Sequence, residues 1–129
     1  MALRILQNEE ANTRLKATIQ RSGKLGFTDA TAKRLGFGEG CAVQFAEDDE
    51  EQGVYYLINK VSPESENAYK VCKAGDYFYV NARGLFDRLG FDYEKYNIIF
   101  DLKRDQSYPD MEVWKMKQRI SPRKKNTEE

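Results

Sequence analysis

Six basic side chains, Arg14, Lys16, Arg21, Lys24, Lys33 and Arg34, fall between Ala11 and Leu35, with Asp29 the one acid among them. Cations at this density can neutralise phosphates, and each neutralised phosphate releases counterions and steepens the salt dependence of binding. The same residues also fit an ordinary solvated surface, because Lys and Arg are exposed by default. The next stretch reverses the sign, with eight acids between Gly36 and Glu66 and one base, Lys60. Its run Glu47-Asp48-Asp49-Glu50-Glu51 offers oxygens to a hard cation but lacks the ligand spacing and turn glycine of a calcium loop. It reads as a solvated hairpin loop whose like charges keep strand edges apart.

Other chemistry is sparse. Tyr77, Phe78 and Tyr79, with Phe86, Phe91, Tyr93 and Tyr96, could stack unpaired bases, although core packing accounts for most such residues. Strand alternation sends Phe78 to the face opposite Tyr77 and Tyr79. Cys41 and Cys72 stand outside any CxxC motif and read as small buried apolar residues. Asp105 and Asp110 flank Tyr108-Pro109, a turn signal that fixes no separation between them. The GFGEG segment, Gly36 to Gly40, lacks the lysine and hydroxyl residue of a phosphate loop and reads as a helix C-terminal turn. The chain has no histidine, which removes the commonest general base and the commonest metal ligand together. The expectation is a protein that is not an enzyme, with no metal and no cofactor.

The elements that position these residues belong to a chain of 129 residues with 21 basic and 21 acidic side chains. A chain of this length buries about two-thirds of its unfolded surface. With 40% apolar residues its composition is that of a folded domain. No run approaches the apolar length of a membrane span, and the N-terminal segment passes quickly into charge, unlike a signal peptide. Two cysteines fit a reducing compartment. The expected location is the cytoplasm, with no membrane.

Two segments align: SGKLGFTDATAKRLGFGEGCAVQF and AGDYFYVNARGLFDRLGFDYEKYNIIF. Gly23 matches Gly75, Phe27 matches Tyr79, Leu35-Gly36-Phe37 matches Leu89-Gly90-Phe91, and Phe45 matches Phe100. β-Branched and aromatic runs bounded by turn residues predict strands at Leu15 to Gln20, Lys24 to Thr28, Cys41 to Ala46, Val54 to Val61, Tyr69 to Lys73, Tyr77 to Asn81, Asn97 to Leu102 and Met111 to Lys117. Between them lie two helices of about two turns, with Asp29 and Asn81 as N-caps and Gly36 and Gly90 as left-handed C-terminal residues. Helices so short must be held by packing, through Ala32 and Leu35 in one and Leu85, Phe86 and Leu89 in the other. The fold expected is mixed α/β and strand-rich: two ββαββ repeats forming one pseudo-twofold barrel. Residues 1–12 form a leader, 13–120 a single domain built of repeats 13–62 and 67–120, and 121–129 a disordered tail. Ser62 to Asn67 joins the repeats.

The Gly-Lys-Leu-x-Phe turn, the short helix ending Leu-Gly-Phe, and Gly40 before a strand with Val43 and Phe45 together resemble the AbrB/MazE/SpoVT swapped-hairpin family. Two copies in one chain resemble that family's internally duplicated, MraZ-type members. Lys24 stands where that family has a turn arginine, Thr28 where it has proline, Cys41 where it has aspartate, and Asp76 reverses the charge in the second copy. The resemblance implies double-stranded DNA as partner, transcriptional control or an antitoxin role, and the six cations as the DNA-facing residues. The second copy's Lys70, Lys73, Arg83 and Arg88 are offset by Asp76 and Asp87, so a DNA surface would be lopsided unless a second copy joins. The alternatives are a protein-interaction or scaffold module with no nucleic-acid role, and a single-strand binder using exposed aromatics.

Overall fold

Ile98, Phe100 and Leu102 alternate along one strand and are 1%, 1% and 3% exposed, the period of two that sends every second side chain to one face. The structure is a computed structural model that describes Leu3 and residues 15–122. Apart from Leu3, the expected leader lies outside the described residues, as does the expected tail beyond Pro122. In chain order the elements are β1 (Lys16–Ile19), β2 (Lys24–Phe27), α1 (Asp29–Leu35), β3 (Ala42–Glu47), β4 (Val54–Asn59), β5 (Tyr69–Ala74), β6 (Tyr77–Asn81), α2 (Arg83–Arg88), β7 (Tyr96–Asp105) and β8 (Glu112–Pro122). Each expected strand has a counterpart. β7 and β8 run further than expected because they pair continuously from Asp105↔Val113 to Tyr96↔Pro122. Ser121 and Pro122 therefore close β8 instead of opening the tail.

The strands form a closed antiparallel barrel in the order β1-β2-β6-β5-β3-β4-β8-β7. Neighbours along the chain make the hairpins, while β1 pairs with β7, β2 with β6, β3 with β5 and β4 with β8. Closure gives each of the eight strands a partner on both sides. Ala17, Ile19, Leu25, Phe27, Val43, Leu57, Val80, Phe100, Trp114 and Met116 fill one buried cluster. Burial of this apolar surface is the main favourable contribution to the fold.

Each helix follows a central strand. Thr28, not Asp29, caps α1: it is extended, and its hydroxyl accepts the Thr31 N–H at 3.3 Å. Asp29 is the first helical residue and pairs with Lys33 one turn on. The cap of α2 is Ala82, which has no side-chain acceptor, instead of Asn81. The C-terminal ends agree with expectation. Gly36 N–H bonds to Lys33 O and Phe37 N–H to Ala32 O, while Gly90 N–H bonds to Asp87 O and Phe91 N–H to Phe86 O. Both are Schellman closures that need a left-handed residue, and Gly36 and Gly90 have φ of 73° and 81°. Buried Ala32 and Leu35 hold α1, and buried Phe86 holds α2, with Leu85 packed beside it.

Among the described residues no helix is long and apolar enough to cross a membrane.

Candidate nucleic-acid interface

The β1–β2 hairpin turns through Gln20 to Lys24, closed by Gln20 N–H to Lys24 O and Gly23 N–H to Gln20 O, both 2.8 Å. Arg21 is exposed at its tip. Gly23 lies so close to α2 that a Cβ there would stand 2.6 Å from Arg83 Cβ. The tip thus abuts Arg83, the first residue of α2. Arg83 Nε is 3.8 Å from Asp87 Oδ2 on the exposed helix surface, and Asp87 also accepts the Tyr93 hydroxyl at 2.7 Å.

Lys24 points along the outer sheet face, with Nζ 4.7 Å from the centre of the Tyr79 ring, a cation–π contact. Tyr79 stacks on Tyr77 at 6.0 Å and 23°. Tyr77 in turn accepts a hydrogen bond on its hydroxyl from Gln20 Nε2. Burial, then the neighbouring Tyr79, push the Tyr77 phenol above its ordinary pKa. Tyr77, Phe78 and Tyr79 are all half-buried, so alternation does not leave either face of β6 fully open.

The remaining cations do not join this group. Lys16 is half-buried on β1, opposite Asp101 of β7 in the ladder. Lys33 Nζ is 3.1 Å from Asp29 Oδ2, and Arg34 lies 5.7 Å from the Trp114 ring. Both belong to α1, which starts where β2 ends. The length of β2, about 13 Å at 3.3 Å per residue, separates them from the hairpin tip. Arg14 lies outside the described residues. The five described cations are therefore divided, Arg21 and Lys24 on the hairpin, Lys16 on β1, and Lys33 and Arg34 on α1, and no local pattern in the chain signals that Arg83 would stand at the tip.

The second hairpin tip has the opposite sign. Asp76 and Asp29 share a groove of about 520 Å³ with Thr18, Gln20, Thr28 and Tyr77.

The other candidates resolve into structural roles. Asp48 accepts the Glu50 and Glu51 N–H groups at 2.8 and 2.9 Å and the Tyr56 hydroxyl at 2.9 Å. The backbone bonds, then the Tyr56 bond, hold its carboxyl below the usual range. The acidic run is thereby folded into a loop. Asp105 accepts the Ser107 N–H in the β7–β8 turn. Cys41 and Cys72 are half-buried free thiols, less enclosed than expected. Among the described residues no three His, Cys, Asp or Glu side chains gather to hold a metal.

Glu112 marks a site that the sequence did not single out. Its Oε2 accepts from Asn59 Nδ2 and Trp114 Nε1, both at 2.9 Å, and its Oε1 faces Lys60 Nζ at 3.1 Å. Burial pushes the carboxyl upward, but the bonds from Asn59, Trp114 and Lys60 outweigh it and hold the pKa below its ordinary value. Asn59 also donates to Leu35 O at 2.8 Å, which ties the end of α1 to the barrel.

Compared with known proteins, the chain matches no family model, no curated protein and no solved structure.

Proposed function

We propose that this protein is a non-enzymatic binder of double-stranded DNA, built as an internally duplicated swapped-hairpin barrel of AbrB-like design and acting in transcriptional control. The strand pairing supports the duplication. Exchanging β1 to β4 for β5 to β8 turns the pairs β1–β2, β1–β7 and β3–β4 into β5–β6, β3–β5 and β7–β8, and leaves β2–β6 and β4–β8 as they are. Each first hairpin lies between strands of the other half, and both helices end in the same hydrogen-bond pattern.

The observation that carries the functional reading is the basic hairpin tip, where exposed Arg21 and half-buried Lys24 flank Gly23 and exposed Arg83 packs against that glycine. These cations can meet a phosphate backbone together, because α2 braces the hairpin that carries two of them. Fold likeness supplies only the type of partner; the charge supplies the physical reason.

The test is fluorescence anisotropy with a labelled duplex across a salt series. Binding should weaken steeply with salt, and replacing Arg21 and Lys24 by alanine should lower the slope of log affinity against log salt by about 0.9 per phosphate contact removed. Absence of binding at low salt overturns the proposal. Preference for single strands, lost in Tyr77→Ala, favours base stacking instead.

A further inference from the structure

The barrel is closed, but one ribbon outruns it. The last β4–β8 pair is Val54↔Lys117, followed by one bond from Gln118 N–H to Gly53 O at 3.0 Å. Beyond this, β8 continues to Pro122 with β7 alone at its side. Strand groups alternate in direction, so the N–H and C=O of Ile120 face the same way as the Gln118 N–H. They face outward past the end of β4, at a strand edge with no partner among the described residues.

A groove of about 380 Å³ borders this edge, lined by Tyr55, Leu89, Phe91 and Ile120 on its apolar part and by Glu47 and Glu51 at its acidic rim. Ile120 is 49% exposed, an unusual position for isoleucine at a strand edge. Tyr55 and Phe91 are in edge contact at 5.6 Å, which fixes the groove floor. Burial and then the Glu47 charge push the Tyr55 phenol upward, in keeping with a carboxylate close above that floor. The neighbouring Arg119 is bound to Asp101 by two hydrogen bonds, 2.6 and 3.1 Å.

We infer that this edge and groove take an extended basic peptide of a partner protein, added as a strand beside Ile120, with one apolar side chain in the groove and a Lys or Arg at Glu47 and Glu51. An open edge supplies main-chain hydrogen bonds, and a flanking pocket supplies side-chain selection. Charge complementarity excludes nucleic acid and anionic lipid as occupants. A second copy fits worse. Antiparallel self-pairing about Ile120 sets Pro122, which has no N–H, opposite Gln118 and brings two acidic rims together. The site is separate from the basic hairpin tip and stands whether or not that tip binds DNA.

The experiment is fluorescence anisotropy of the full chain with a short labelled peptide alternating lysine and valine. Saturable binding is expected, reduced about tenfold or more by Ile120→Asp and by Glu47→Lys with Glu51→Lys, and abolished when the peptide carries N-methyl groups on its edge-facing amides. Unchanged Trp114 emission shows that the variants are folded, and unchanged duplex-DNA binding by Ile120→Asp separates this site from the hairpin tip. Equal binding of the N-methylated peptide, or of a lysine–serine peptide, reduces the interaction to charge and overturns the proposal. So does undiminished binding by Ile120→Asp, or no binding of the first peptide at low salt.

Discussion

The Tyr77 hydroxyl occupies the space that a Cβ on Gly26 would fill. Gly26 is buried in β2 and adjoins Tyr79 of β6 in the ladder. Its missing side chain lets the phenol lie across the strand to Gln20. Gly26→Ala must displace the ring, breaking the Gln20 bond and the Tyr77–Tyr79 stack, and should lower stability by about 1–3 kcal/mol in urea denaturation. Tyr77→Ala clears the space first, so the double variant should be no less stable than Tyr77→Ala alone. Strictly additive losses would show that the two positions are not in contact.

The helix ends offer a matched pair with a control. Gly36→Ala and Gly90→Ala each force a left-handed alanine and should each cost about 1 kcal/mol. Gly38 has open space around it and no left-handed φ, so Gly38→Ala should be neutral or slightly stabilising. Thermal unfolding of the three variants checks this, and an equal loss at Gly38 would contradict it.

Glu112 makes stability depend on acid. Its folded pKa lies below its ordinary value of 4.5, so the unfolded chain takes up the proton first as pH falls. The stabilising contribution is complete above that value and is lost as pH drops from it through the folded pKa. Trp114, the single tryptophan, donates to Glu112 and reports the change by its emission. In Glu112→Gln the pH dependence of stability below 4.5 should flatten. An unchanged acid-unfolding profile would remove Glu112 from this role.

The two hairpin tips differ in sign, so Asp76→Lys should extend the basic surface to the second tip. Duplex affinity should rise, with the salt slope steeper by about one phosphate contact. An unchanged anisotropy titration would confine contact to the Arg21 tip.

The Asp48–Tyr56 bond is accessible to a spectroscopic titration. That hydrogen bond, more than burial, has the Tyr56 phenol pushed up to about 12. Asp48→Asn removes the carboxylate and should let one tyrosine titrate earlier, toward 10, in the ultraviolet difference spectrum. No change in the tyrosine titration would mean that the bond is not held in solution.

Much of the fold was legible in the chain because strand and helix signals are local. Ile98, Phe100 and Leu102 declare their buried face by alternation, and Gly36 and Gly90 declare helix ends because few other residues adopt the left-handed conformation. The α1 cap was displaced by one residue for a similarly local reason: Thr28 offers an equally good acceptor one position ahead of Asp29. The candidate site was legible only as a list of cations.

What the sequence determined by itself is the strand-rich class, the short helices and the segregation of charge along the chain, since each follows from backbone geometry and composition over a few residues. The tertiary structure alone decided which charges have company. Arg83 meets Gly23 because a hairpin meets a distant helix, Arg34 lies against Trp114, and Ile120 is left at an open edge because β8 outlasts β4. Barrel closure and strand register set these neighbours between residues far apart in the chain, and no local pattern encodes them.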